Sequence, residues 1–232
     1  MKIYKHIFFD LDRTLWDFET NSTTALLELY HYHQLEIKGI NSFDDFVRKY
    51  LQVNNRLWKH YQRGNIDKAA LRINRFHKTF LSFGVDDYYL AVVFGEHYIK
   101  TAPLKTAVFP YTHEALSYLK TKYELHIITN GFEEVQHVKL NACELRPYFK
   151  HIITSESAGA QKPQAEIFNF ALTKAVAKPE ECLMVGDHYE ADIVGAKKAG
   201  IDQVYFTPTP VSERRIKATY QIVSLAALKE IL

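Results

Sequence analysis

Cysteine is nearly absent from the chain, which has only Cys143 and Cys182, far apart and without a CxxC spacing. This excludes a disulfide framework and a cysteine zinc site, and both residues read as core thiols. Charge imbalance is absent too. Against 27 Asp and Glu there are 29 Lys and Arg, spread along the chain, so the formal charge of +2 does not indicate a nucleic-acid groove. The densest basic cluster, Arg214, Arg215 and Lys217, reads as a solvated turn. No apolar run approaches the roughly 18–20 residues that a membrane-spanning helix needs. The opening MKIYKHIFFDLD meets acidic residues too early for a signal peptide. The expectation is a cytoplasmic monomer or homodimer that engages a small molecule, with neither membrane nor nucleic-acid polymer as partner. The 11 histidines show no HxxxH or HExxH pattern, and there is no internal repeat or low-complexity stretch.

What is present is an ordinary globular composition, 47% apolar, 24% charged and 14% aromatic over 232 residues. That length suits one large domain or a core carrying a smaller insertion. From Asn21 to about Lys100 the hydrophobic period is helical, with Phe43, Phe46, Val47, Tyr50, Leu51, Leu57, Trp58 and Tyr61 on one stripe. Ser22, Ser42, Asp67 and Asp86 are the expected N-caps of four helices, Gly64 and Gly84 the expected stops, and Pro103 lies beyond the fourth helix.

After Pro103 the pattern alternates. Strand-like LHIIT, HIIT, CLMVG and QVYF are separated by helix-like stretches, the grammar of a parallel sheet covered on both faces with right-handed crossovers. The strand Ile7–Phe9 belongs to this sheet but is cut off from it by the helical block. The expected architecture is therefore a doubly wound α/β core, residues 1–15 and 102–232, with an all-helical cap, residues 16–101, inserted after the first strand. Hinges are expected near Leu15–Asp17 and Thr101–Leu104.

The chemistry gathers at strand ends, where such sheets bind ligands. HIFFDLDRTLW places Asp10 and Asp12 just past the first strand. LHIITNG ends in Thr129, Asn130 and Gly131; SAGAQKP leads to Lys162; and CLMVGDHYEAD supplies Asp187 and Asp192. If these four strands are neighbours, four carboxylates meet one lysine in a single crevice. Like charges so close raise one another's pKa or recruit a cation. An all-oxygen ligand set selects a hard ion, and Mg²⁺ fits best. A phosphoryl group could then be gripped by Lys162 and the Thr129 hydroxyl while a carboxylate attacks phosphorus.

In these four segments the chain resembles the haloacid dehalogenase superfamily: DLDRT, ITN, QKP and GDHYEAD match its motifs in order. The resemblance implies that Asp10 is a nucleophile forming an aspartyl phosphate, and that Asp12 is the acid and then the base. It implies that Asp10, the Asp12 backbone carbonyl and Asp187 hold Mg²⁺, with Asp192 behind them, and that Thr129, Asn130 and Lys162 bind phosphate. The helical insertion resembles the family's first cap class. Where most such phosphatases carry glycine after the second aspartate, this chain has Arg13, and DRTLWDFE resembles a branch of 5'-nucleotidases acting on pyrimidine and non-canonical nucleoside monophosphates. Arg13 is expected to adopt an ordinary right-handed or extended backbone, as glycine's conformations cost it more. Trp16 and Phe18 are candidates to stack on a base, and His188 to approach substrate. The implied function is a Mg²⁺-dependent phosphomonoester hydrolase. The alternatives are a sugar-phosphate or phosphoglycolate phosphatase and, from another class, an inactive phospho-ligand-binding module.

Overall fold

The protein is described by a computed structural model over residues 3–208 and 217–232; Arg214 and Arg215 of the basic cluster lie outside the described residues. In chain order the elements are β1 (His6–Phe9), α1 (Phe18–Tyr32), α2 (Phe43–Gln62), α3 (Lys68–Leu81), α4 (Tyr88–Thr101), α5 (Thr112–Lys120), β2 (Glu124–Thr129), α6 (Glu133–Ala142), β3 (His151–Thr154), α7 (Ser155–Ala158), α8 (Ala165–Ala175), β4 (Cys182–Gly186), α9 (Gly195–Lys198), β5 (Asp202–Phe206), β6 (Tyr220–Ile222) and α10 (Leu228–Ile231). Two compact units result, one from Met1–Phe18 with Thr106–Leu232, the other from Glu19–Lys105.

The first unit is built on a parallel six-stranded sheet in the order β3-β2-β1-β4-β5-β6. β1 is central, with Phe9 in register with Ile127 on one side and Val185 on the other. Because strand side chains alternate, each apolar run feeds two cores. Ile7, Phe9, Leu125, Ile127, Leu183 and Val185 pack with Leu116, Leu119 and Leu140 on one face. Phe8, Ile128, Met184 and Cys182 pack with Ile167, Phe168 and Ala196 on the other. Each large side chain buried this way contributes about 1.5–3 kcal/mol. β6 is a short strand that the sequence pattern does not announce. Cys143 and Cys182 are both free and buried.

The second unit is helical, its core an aromatic cluster in which Tyr50 stacks on Phe76 at 5.3 Å and Phe94 contacts Phe46, Phe76 and Phe80. Ser42 and Asp67 cap α2 and α3 by accepting from Asp45 N and Ala70 N. Two expected caps are elsewhere. Ser22 lies inside α1, buried, its hydroxyl 2.8 Å from that of Tyr98, so it satisfies a buried phenol rather than a helix start. Asp87, not Asp86, caps α4 by accepting from Leu90 N at 2.8 Å, while Asp86 faces His77. Among the described residues no helix is long and apolar enough to cross a membrane.

Candidate active site

β1 delivers Asp10 to the carboxyl end of the sheet, and the Asp10 N–H donates to Val185 O at 2.9 Å, extending the ladder one residue past the strand. The chain then doubles back. Leu15 N and Trp16 N both donate to Leu11 O, and Arg13 N donates to Trp16 O at 2.9 Å. This closed turn puts Arg13 at φ 65, in the left-handed region, which corrects the expectation of an ordinary backbone there. The turn's hydrogen bonds impose the conformation on a residue that disfavours it.

Lys162 is the hub. Its ammonium donates to Asp10 Oδ1 at 2.7 Å, Asp192 Oδ1 at 2.6 Å and Ile128 O at 2.8 Å, which uses all three of its protons. Asn130 fixes where that side chain starts: Oδ1 accepts from Lys162 N at 2.8 Å and Nδ2 donates to Lys162 O at 2.9 Å. The Asn130 carboxamide therefore clamps the Lys162 backbone. Asp192, in a π-helical turn over Tyr189–Val194, accepts from His188 N with its other oxygen. Gly186 is required beneath it, since a Cβ there would lie 2.4 Å from Asp192 Cγ.

Asp12 has its own pair of partners. Its carboxylate accepts from Lys139 Nζ at 2.5 Å and Gln136 Nε2 at 2.8 Å. Gln136 also donates to Thr129 Oγ1 at 2.9 Å, and Gly131 N donates to the same oxygen at 3.0 Å. Gly131 permits this, because a Cβ would fall 1.6 Å from Gln136 Nε2. Gln136 and Lys139 escaped the sequence reading. Their only signal is a spacing of three on α6, which puts them on one helical face.

Charge explains the arrangement. Burial first, and the nearby Asp192 and Asp12, push Asp10 up to about 7 despite Lys162. Burial with Asp10 and Asp192 pushes Asp187 up to about 8. Asp12 goes the other way: burial raises it, but Lys139, Gln136 and Arg13 outweigh that and hold it below the usual carboxylate range. For Lys162 burial disfavours the ammonium, and the two aspartates more than reverse this. Asp10, Asp187 and Asp192 each offer an oxygen, all within 4.8 Å of one another. Three hard donors this close, two of them, Asp10 and Asp187, pushed toward neutrality, fit a divalent cation of the Mg²⁺ kind. Thr14 donates to Asp187 Oδ1 at 3.2 Å and orients it.

Of the candidate substrate residues, Trp16 is 1% exposed and packed in the core, its ring 4.0 Å from the Lys139 ammonium, so it has no free face for a base. That corrects its assignment. Phe18 is half-buried, with the Arg13 guanidinium 4.5 Å from its ring centre. His188 accepts from Ala191 N through Nδ1 and so helps form the turn that carries Asp192.

Comparison with known proteins agrees with this geometry. The model of a hydrolase family described as haloacid dehalogenase-like hydrolase matches residues 4–200. The chain is 31% identical to the pyrimidine 5'-nucleotidase PynA of Streptococcus pneumoniae, over 99% of this chain and 95% of that one. It is 32% identical to the pyrimidine 5'-nucleotidase YjjG of Escherichia coli, over 97% and 96%. The crystal structure of the HAD-hydrolase YfnB of Bacillus subtilis, bound to magnesium, superposes with a TM-score of 0.89 at 28% identity, covering 100% of this chain and 99% of that one.

Proposed function

Because the chain belongs to the haloacid dehalogenase-like hydrolases, we propose that it is a phosphomonoester hydrolase that uses Mg²⁺, forms an aspartyl phosphate on Asp10, and acts on pyrimidine or non-canonical nucleoside 5'-monophosphates. The observation that carries this reading is the Lys162 ammonium held between Asp10 and Asp192, with Asp187 alongside. It pairs an ionisable nucleophile with a fixed positive charge in a place where a phosphate dianion needs both. The relatives that act on pyrimidine nucleotides support the substrate class.

Asp10, Asp187 and the Asp12 backbone carbonyl are the groups to hold Mg²⁺, which when bound would offset the repulsion between the attacking carboxylate and the phosphoryl oxygens. Lys162 favours the ionised form of Asp10 against the effect of burial and aims it. The Asp10 carboxylate attacks phosphorus, the bond to the leaving oxygen breaks, and that oxygen takes a proton from Asp12. Lys139 and Gln136 hold Asp12 as a carboxylate in the resting site; an arriving phosphate dianion raises its proton affinity, and Asp12 takes up from solvent the proton that it then hands to the leaving oxygen. After leaving-group departure Asp12 is again a carboxylate, the form that takes a proton from the water attacking the aspartyl phosphate. Thr129 Oγ1 accepts two hydrogen bonds, which leaves its O–H as donor to a phosphoryl oxygen. The free, buried cysteines suit a reducing cytoplasm.

The test is phosphate release from a panel of nucleoside monophosphates, sugar phosphates, phosphoglycolate and p-nitrophenyl phosphate, with Mg²⁺ or with EDTA. Pyrimidine or non-canonical nucleotides should give the highest kcat/KM, and only with Mg²⁺. Asp10→Asn should abolish turnover while the circular dichroism spectrum is kept. Wild-type hydrolysis by Asp10→Asn in EDTA would sink the mechanism, and a clear preference for phosphoglycolate or a sugar phosphate would sink the substrate class.

A further inference from the structure

At the end of the sheet opposite Asp10, where β1 and β2 begin, three side chains converge. His6 is in register with Glu124, and Phe8 with His126, so alternation places His6, Glu124 and His126 on one face. His6 Nδ1 lies 3.3 Å from His126 Nε2 and 3.4 Å from Glu124 Oε2. One ligand atom from each lies within 4.8 Å of the other two. We propose that His6, His126 and Glu124 form a second metal site, distinct from the aspartate cluster, for a borderline transition-metal dication of the Zn²⁺ type.

The donor set argues for the ion class. Two imidazoles and one carboxylate suit Zn²⁺ and its neighbours, whereas Mg²⁺ prefers oxygen alone. The spacing agrees: tetrahedral bonds of about 2.0–2.1 Å set ligand atoms roughly 3.3–3.4 Å apart. Glu124, exposed at the surface, gives an ion a way in and leaves the fourth position to water.

The ligands are also held in place before any ion arrives. The His126 ring is 0% exposed, packed with Phe8 at 4.9 Å and stacked on His151 at 5.3 Å with an interplanar angle of 8°. Lys150 holds Glu124 Oε1 at 2.6 Å, so the other oxygen turns to His6. Burial, with His151 and His6, pushes His126 down to about 3, and a neutral imidazole has no proton to displace. His126 Nδ1 has no hydrogen-bond partner among the described residues. A metal on Nε2 would leave the ring proton on Nδ1; the atom turned toward His6 Nδ1, at 3.3 Å, is Nε2.

Untagged protein in excess Mg²⁺, which loads the aspartates, should be titrated with Zn²⁺ by calorimetry and with Co²⁺ by visible spectroscopy. The expected result is one Zn²⁺ per chain beyond the aspartate site, and Co²⁺ bands of tetrahedral intensity. His6→Gln and Glu124→Gln should each weaken this binding tenfold or more while Mg²⁺-dependent turnover is retained. His6 is buried at the start of the central strand and Glu124 is exposed at the start of β2; circular dichroism checks that each variant folds, and Glu124→Gln keeps the side chain's size. In Asp187→Asn the Zn²⁺ site should persist. Equal Zn²⁺ affinity in wild type, His6→Gln and Glu124→Gln would overturn the proposal, as would loss of all Zn²⁺ binding in Asp187→Asn or its absence from wild type.

Discussion

The Lys139 ammonium lies 2.5 Å from Asp12 Oδ1 and 4.0 Å from the centre of the Trp16 ring, so one side chain of α6 ties together both ends of the turn that follows β1. Gln136, almost one helical turn earlier, takes the other Asp12 oxygen and reaches Thr129 as well. The loop after β1 and the end of β2 are thus set by the same helical face. Asp12 is tuned by Gln136 and Lys139, while the Lys162 ammonium donates to Asp10, Asp192 and Ile128 O.

Removing that charge should be visible in the pH dependence of turnover. In Lys139→Gln a donor remains near Asp12 but the cation is gone, so the Asp12 pKa rises. The limb of the kcat profile that Asp12 governs should move up by about one unit or more. A profile that superposes on wild type would show that Lys139 only fills space.

Asp10 and Asp187, pushed up to about 7 and about 8, predict how the metal-free protein responds to pH. Their folded values lie above the ordinary carboxylate value near 3.8. The resulting stability is fully present below about pH 4 and is lost as pH rises through 7 to 8, because the unfolded chain has already released those protons. In EDTA the melting temperature should fall across this window by about 5 °C or more on account of these groups. Excess Mg²⁺ should flatten or reverse the slope, since the cation takes the protons' place. Parallel curves with and without Mg²⁺ would rule out the aspartates as its site.

Gly186→Ala probes the packing under Asp192. The added Cβ would lie 2.4 Å from Asp192 Cγ, and Asp192 is fixed by Lys162 and His188 N and only 1% exposed. Overpacking of this kind costs about 1–3 kcal/mol. Urea unfolding should show that loss, and turnover should drop at least tenfold as Lys162 is displaced. Unchanged stability would mean that the turn carrying Asp192 is free to shift.

What was legible in the sequence was whatever repeats with a period or ends a strand. The apolar runs ending in Asp10, Thr129 and Gly186 fixed both the parallel core and the convergence of its carboxyl ends, because alternation and strand length leave few other arrangements. Gln136 and Lys139 were hidden because polar residues on an amphipathic helix look like its solvent face. β6 was hidden because its three residues include an exposed Gln221, too short a run to show a period. Ser22 misled in the other direction: a cap-type residue near a helix start signals a cap unless a distant partner, here Tyr98, claims it. Asn130 and Trp16 were seen as polar and aromatic groups near the chemistry, but burial and hydrogen bonding decided their roles.

Arg13 is the sharpest departure from local expectation, and two substitutions measure it. A non-glycine residue at φ 65 costs on the order of 1 kcal/mol relative to glycine. Arg13 also places its guanidinium 4.5 Å from the Phe18 ring centre and lowers the proton affinity of Asp12 and Asp187. Arg13→Ala loses those interactions and keeps the strain. Arg13→Gly loses the same interactions and relieves the strain, though glycine loosens the unfolded chain and gives back part of the gain, about 0.4–1 kcal/mol. The glycine variant should therefore be at least as stable as the alanine variant, by up to about 1 kcal/mol, although glycine at ordinary backbone positions is the less stable of the two. Urea unfolding of the pair reads the difference directly. If Arg13→Ala is clearly the more stable, the turn after β1 does not hold residue 13 in the left-handed region.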